Sequence, residues 1–227
     1  MTEKVNFKID LRWFVLMFFG FIIFATDVNA LEVGITPQIG EFKLKHNNKM
    51  VTIRRNQDTE AMLEFDFART SRPCSPFCAQ PMQITDGVKT IGEVELIVFM
   101  QSELAQGRGL LIDARTPDWH ERGTIPGSIN IPFTKLNPEQ GADEISLEES
   151  LLRLGGKVDN EDRDFSQAKQ LVLWCNGPWC GQSPTAIRGL IRVGYPKEKL
   201  LYYRGGMQLW RIFGLPVVSP VGEMLDE

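Results

Sequence analysis

The sequence predicts an α/β fold in which a central parallel sheet is flanked by helices and preceded by a small antiparallel β extension. Two observations carry this expectation. Short apolar segments at residues 110–112, 171–174 and 200–203 suit strands buried on both faces, and stretches of helical periodicity separate them, the order that builds a covered parallel sheet. Upstream, residues 41–67 alternate apolar with charged or polar side chains, as strands with one wet face do.

In chain order, residues 41–45, 50–55 and 59–67 read as strands, with His46-Asn47-Asn48-Lys49 as a polar turn between the first two. Phe42 and Leu44, Val51 and Ile53, and Leu63, Phe65 and Phe67 would form the buried face. Residues 70–81 form a loop rich in Pro and Ser that holds Cys74 and Cys78. From residue 91 to 106, Val94, Ile97, Val98, Met100 and Leu104 fall mostly at helical spacing, and Gly107 and Gly109 end the run. Leu110-Leu111-Ile112 is a short strand ending at Asp113, followed by a polar loop to Gly123 and a helix around residues 146–154. A charged linker, residues 157–169, leads into the strand Leu171-Val172-Leu173-Trp174. The helix after Ser183 carries Ala186, Ile187, Leu190, Ile191 and Val193 and stops at Gly194. Residues 200–203 make another strand, and Arg204-Gly205-Gly206-Met207-Gln208-Leu209-Trp210 opens a last helix in which Trp210 is core.

A chain of 227 residues that is 43% hydrophobic can bury one ordinary core and a small second one. Its formal net charge of −4 is unchanged when residues 1–30 are set aside, since three acids (Glu3, Asp10, Asp27) and three bases (Lys4, Lys8, Arg12) go together. Nucleic acid is not expected as a partner. Lys4, Lys8 and Arg12 precede an apolar run from Trp13 to Ala25, and Val28-Asn29-Ala30 offers small residues at a cleavage site. Residues 1–30 therefore read as a secretory signal peptide, with an uncleaved membrane anchor as the alternative. Either places the folded part outside the cytoplasm, periplasmic or secreted, and a membrane is a partner only if the segment stays attached. The remaining divisions are a β-rich extension over residues 31–88 and a main domain over residues 89–222.

Export changes the meaning of the four cysteines, which form two local pairs: Cys74 with Cys78, and Cys175 with Cys180. Cys175 stands where a buried strand ends and a helix is about to begin, with Ser183 and Pro184 suited to its N-cap and first turn. The loop Asn176-Gly177-Pro178-Trp179-Cys180-Gly181-Gln182 should curl over unpaired helix N–H groups, which favour a thiolate and lower the pKa of Cys175. Cys180 reads either as a structural disulfide partner or as a resolving thiol that attacks a modified Cys175, and a reversible bond and two free thiols both stay open. Cys74 and Cys78 read as a second, structural or partner-facing disulfide. A four-thiolate zinc site is chemically reasonable but suits an oxidising compartment poorly, so no metal and no cofactor are expected. Asp113 and Arg115 are expected to make structural hydrogen bonds or an ion pair, His120 to be a solvated loop residue, and Trp179 to be exposed beside the site.

Leu111-Ile112-Asp113-Ala114-Arg115, then Gly123-Thr124-Ile125-Pro126-Gly127-Ser128-Ile129-Asn130-Ile131-Pro132, then the strand-borne Cys175, then Arg204-Gly205-Gly206 with Trp210, resemble the rhodanese-like domain in order and spacing. The resemblance runs over about residues 89–217. It implies a central parallel sheet and a cysteine, here Cys175, that carries sulfane sulfur as a persulfide in a two-step cycle. Backbone N–H groups from Asn176 to Gln182 would stabilise the anionic species. Two departures stand out. Many active members have a shorter loop with a basic residue, whereas this one is longer and holds no Arg or Lys, which bears against recognition of thiosulfate. Thr124 also stands where members often have His.

The resemblance implies an exported sulfurtransferase using a thiosulfate or persulfide donor, whose partners are a small sulfur donor and a thiol acceptor, a protein thiol included. Two alternatives stay open: a thiol-disulfide redox protein cycling Cys175 and Cys180, and a non-catalytic module that binds a partner through the β extension and the Trp179 loop.

Overall fold

The core begins with the sheet, because five short strands can bury apolar residues on both faces only when each face is covered. The structure is a computed structural model and describes residues 33–63, 65–159 and 162–225. The expected signal segment, residues 1–30, lies outside the described residues. An antiparallel hairpin comes first, β1 (Glu41–His46) and β2 (Lys49–Arg54), paired from Glu41 opposite Arg54 to His46 opposite Lys49. A single helical turn follows, α1 (Phe65–Ala68). Then come β3 (Lys89–Ile91), α2 (Glu93–Phe99), β4 (Gly109–Asp113), α3 (Pro117–Glu121), β5 (Ser128–Asn130) and α4 (Glu144–Arg153). A short hairpin, β6 (Lys157–Asp159) and β7 (Asp162–Asp164), precedes β8 (Gln170–Trp174), α5 (Gln182–Arg192), β9 (Leu200–Tyr203) and α6 (Gly206–Ile212).

The main sheet has the order β3-β9-β8-β4-β5, and all its pairings are parallel. Side chains alternate between its faces with the strand period of two. Leu111, Val172, Trp174 and Tyr203 enter one core cluster together with Leu96 of α2, Met207 and Trp210 of α6, and Leu44, Val51 and Ile53 of the hairpin. Ile112, Leu171, Leu173 and Tyr202 enter the other, with Leu147 and Leu151 of α4 and Ile187 and Leu190 of α5. The hairpin thus buries its apolar face against the main domain, as a two-stranded sheet must to be stable. The described residues form one compact unit.

Several elements differ from expectation. Residues 59–67 are not a third strand of the extension. The Asn56 and Asp58 carboxamide and carboxylate oxygens accept the N–H groups of Asp58 and Glu60, and Asn56 N donates to Gly214 O at 2.7 Å, so the chain turns away from the hairpin. Phe67 then reaches the core from a helical turn rather than a strand. Helix α2 continues into a π-helical stretch, Met100–Leu104. The charged linker contains the β6-β7 hairpin, and the short strands β3 and β5 carry too few residues to announce themselves by periodicity. Helix α4 starts where Asp143 accepts the N–H of Ser146 at 2.8 Å, an N-cap.

Gly189 lets α5 lie against the chain near β5. A Cβ there would sit 2.2 Å from Leu136 O and 2.6 Å from the Asn137 Cα. Helix propensity favours Ala over Gly by about 1 kcal/mol, but a backbone clash cannot relax by a rotamer change. Gly189→Ala is therefore expected to destabilise the protein by about 1–3 kcal/mol. Urea unfolding checks this, and a midpoint at or above that of the parent would contradict the packing.

Candidate active site

Cys175 follows the last residue of β8, the middle strand, so strands on both sides fix where its backbone emerges. Trp174 is anchored first: its indole N–H donates to Ser128 Oγ at 3.0 Å, and the ring is fully buried. The carbonyls of Cys175 and Asn176 then accept the N–H groups of Met207 and Gln208 at 2.9 and 3.0 Å, which ties the start of the loop to the start of α6. Gly206 makes this possible. It has φ +57°, and a Cβ would fall 2.2 Å from Cys175 O. The Arg204-Gly205-Gly206 motif thus has a direct reason beside the cysteine.

Cys175 is 2% exposed. Ser183 Oγ donates to it at 3.1 Å, the Cys180 thiol is within hydrogen-bonding reach, and the N–H groups of Ser183 and Gly177 point at it. Burial pushes the thiol pKa up, but the donors from Cys180, Ser183 and the backbone outweigh it and bring it from 9.0 down to about 7. Ser183 is not the N-cap that its sequence position suggests. Helix α5 starts at Gln182 with Gly181 before it, so Ser183 lies in the first turn and its hydroxyl serves the sulfur.

Cys175 and Cys180 are both free and buried. The loop folds back through a Cys180 N–H bond to Gly177 O at 2.9 Å, and Cys175 Sγ lies 3.1 Å from Cys180 O. Burial, the hydrogen bond to Cys175 and the charge on Cys175 push the Cys180 thiol well above its ordinary value. One thiol is therefore poised to ionise and its neighbour to hold a proton. Gln182 Oε1 faces the Cys180 sulfur at 3.6 Å.

Beneath the loop, Asp113 and Arg115 form a buried bidentate pair, with Nε to Oδ1 at 2.8 Å and an outer nitrogen to Oδ2 at 2.7 Å. Arg115 also donates to Asn176 Oδ1 at 3.2 Å and Gly123 O at 2.6 Å, and its guanidinium lies 4.6 Å from the Trp174 ring. Burial works against ionising Asp113, yet the Arg115 charge and its hydrogen bonds, with His120, hold the carboxyl below the usual range. Thr124 Oγ1 donates to Asp113 Oδ2 at 3.0 Å. His120 is not a solvated loop residue: its Nδ1 lies 3.0 Å from Asp113 Oδ2, because α3 turns the ring onto the buried carboxylate.

Cys74 and Cys78 are joined as a disulfide, so their sulfurs are not open thiolates for a metal. Among the described residues no group of three or more His, Cys, Asp and Glu could hold one. The segment around this disulfide covers the Cys175 loop as a strap. Gln80 N donates to Pro178 O at 2.8 Å, and Arg204 donates twice to Gln80 O, at 2.9 and 3.2 Å. Phe77 meets Trp179 edge-on at 5.6 Å, and the Arg72 guanidinium lies over the same indole at 3.9 Å. The Trp179 N–H donates to Gln208 Oε1 at 2.7 Å, and Gln208 Nε2 donates to Phe67 O at 3.0 Å. Trp179 is consequently half-buried rather than exposed. Sequence reasoning missed Arg72, Phe77, Gln80 and Gln208. Gln208 stood within the glycine motif already singled out, and Arg72, Phe77 and Gln80 stood within two residues of Cys74 or Cys78, but no local pattern tied any of them to Cys175.

The rhodanese-like domain family matches residues 99–212, half of the chain. A helix-turn-helix-type transcriptional regulator of Mycobacterium tuberculosis is 34% identical over 118 residues, 51% of this chain and 41% of the regulator, so the chain spans about two fifths of that relative. Among solved structures, a human single-domain sulfurtransferase is 23% identical over 55% of this chain and 96% of its own, with a TM-score of 0.37. A single-domain sulfurtransferase of Saccharomyces cerevisiae is 20% identical over 57% and 94%, with a TM-score of 0.41. A Bacillus halodurans protein is 20% identical over 59% and 79%, with a TM-score of 0.43.

Three outcomes are expected from this geometry. Iodoacetamide labelling of Cys175, resolved by peptide mass, rises with pH through a midpoint near 7, and Ser183→Ala moves that midpoint upward because the thiolate loses a donor. A midpoint unmoved by the substitution would contradict the assigned hydrogen bond. Arg115→Ala strands a buried carboxylate and is expected to cost about 3–5 kcal/mol in denaturant unfolding. Finally, Phe77→Ala loosens the strap and speeds labelling of Cys175 at fixed pH; an equal rate would show that the strap does not limit access.

Proposed function

The chain belongs to the rhodanese-like domain family, and from that premise we propose that it is an exported sulfurtransferase carrying sulfane sulfur as a persulfide on Cys175. The observation that carries the reading is a buried thiol at the end of the central strand with the Ser183 hydroxyl donating to its sulfur at 3.1 Å, a setting that brings its pKa down to about 7. Near neutral pH much of Cys175 is thiolate, the nucleophilic form. It attacks the outer sulfur of a donor, the donor's remaining group leaves as an anion, and the enzyme retains a persulfide. An acceptor thiolate then takes the outer sulfur and returns Cys175 as thiolate, a two-step covalent cycle. The Ser183 hydroxyl and the N–H groups of Gly177 and Ser183 stabilise negative charge during both steps.

The donor is better matched by an organic persulfide, whose reacting end carries at most one negative charge, than by thiosulfate. Residues 176–182 contain no Lys or Arg, and Arg115 is committed to Asp113. A dianion would enter without a nearby uncommitted cation from the loop. Export is supported by the basic, apolar and small-residue pattern of residues 1–30 and by the bonded Cys74–Cys78 pair, which suits an oxidising compartment.

The test is sulfur transfer to a thiol acceptor with glutathione persulfide and with thiosulfate as donors. Transfer from the persulfide is expected to be the faster, and Cys175→Ser is expected to lower it by at least about 10³-fold. Undiminished transfer by Cys175→Ser would remove the assignment.

A further inference from the structure

In the transfer cycle just described Cys180 helps to lower the Cys175 pKa but forms no bond to sulfur, yet it is placed beside the sulfur that the cycle loads. Building on that reading, we propose a further activity: Cys180 attacks the persulfide of Cys175 and releases the sulfane sulfur as hydrogen sulfide, leaving a Cys175–Cys180 disulfide.

The step balances within the site. The bond between Cys175 Sγ and the outer sulfur breaks, the bond between Cys175 Sγ and Cys180 Sγ forms, and the outer sulfur departs as hydrosulfide. Cys180 attacks as its thiolate, its proton passing to the outer sulfur of the persulfide, which keeps it on leaving. Two electrons from the pair of cysteine sulfurs reduce the sulfane sulfur to sulfide. A small-molecule dithiol or monothiol must then reduce the disulfide before the next round. Cys74 and Cys78 are already bonded and hold no electrons for this purpose.

Three observations converge on the step. Both thiols are free and buried, and Cys175 Sγ lies 3.1 Å from Cys180 O, so the nucleophile and the sulfur it attacks need no diffusive encounter. Effective molarities for well-oriented groups of this kind reach about 10⁵ M, far above any acceptor concentration. The turn closed by Cys180 N–H on Gly177 O holds the two residues together across their short separation. The strap lies over the loop, and Cys175 is 2% exposed, so an external acceptor must wait for an opening that an internal thiol does not need.

The experiment treats the full-length protein, reduced only at Cys175 and Cys180, with one equivalent of glutathione persulfide in the absence of other thiols. Wild type is expected to release one equivalent of sulfide, stop, and show a Cys175–Cys180 disulfide by peptide mapping. Dithiothreitol should restart release. Cys180→Ser is expected to keep one added sulfur on Cys175 and release no sulfide. If wild type retains the added sulfur and releases no sulfide, the proposal is overturned while the transferase reading stands. If Cys180→Ser instead carries glutathione and releases sulfide, the persulfide is not the intermediate and the proposal is again overturned. If neither protein takes up sulfur or releases sulfide, the transferase reading itself fails. Should Cys180→Ser not fold, the single burst and the mapped disulfide of wild type decide the question, and sulfide release without that disulfide overturns the proposal.

Discussion

The buried pair of Asp113 and Arg115 is the interaction on which the geometry around Cys175 depends. Asp113 ends β4 directly beside Trp174 of β8, and Arg115 reaches from the next turn to Asn176, the residue after the cysteine. One guanidinium therefore fixes the ends of two neighbouring strands and the Gly123 carbonyl together. Its desolvation is compensated by a bidentate carboxylate, further acceptors and the face of Trp174. A Lys could supply the charge but not the fork. Thr124 and His120 close around the same carboxylate, so the polar floor of the site is almost fully satisfied.

On this floor, the reactivity of Cys175 arises from a contest of known sign. Burial alone would keep the thiol protonated, whereas Ser183, Cys180 and two backbone N–H groups favour the thiolate and win. The winning groups come from the turn into α5, and that turn is held by α6 through Gly206 and by the strap through Gln80. Packing far from the sulfur thus reaches its ionisation through a short series of hydrogen bonds.

Much of this was legible in the sequence, for identifiable reasons. The apolar runs at residues 110–112, 171–174 and 200–203 reported the three central strands because those strands are buried on both faces. Asp113, Arg115 and Cys175 drew notice because polar or reactive groups followed such runs. What escaped notice was set by tertiary contact. His120 lies on a short helix whose orientation no local pattern fixes, and Ser183 looked like a cap but turned its hydroxyl to the sulfur. The third strand expected over residues 59–67 gave way to side-chain-bonded turns at Asn56 and Asp58. The strap was invisible because residues 70–81 have no periodicity, and their partner, Trp179, lies a hundred residues away.

The strap and the second thiol give this site a character that the fold alone does not dictate. A buried sulfur nucleophile, a neighbouring protonated thiol and a covering segment together favour chemistry completed inside the protein. The most direct measurement of the central claim is site-resolved mass spectrometry of Cys180→Ser after brief exposure to a persulfide donor at neutral pH. The expected result is one additional sulfur atom confined to the peptide bearing Cys175. Sulfur absent from that peptide, or distributed evenly over other cysteines, would contradict the account.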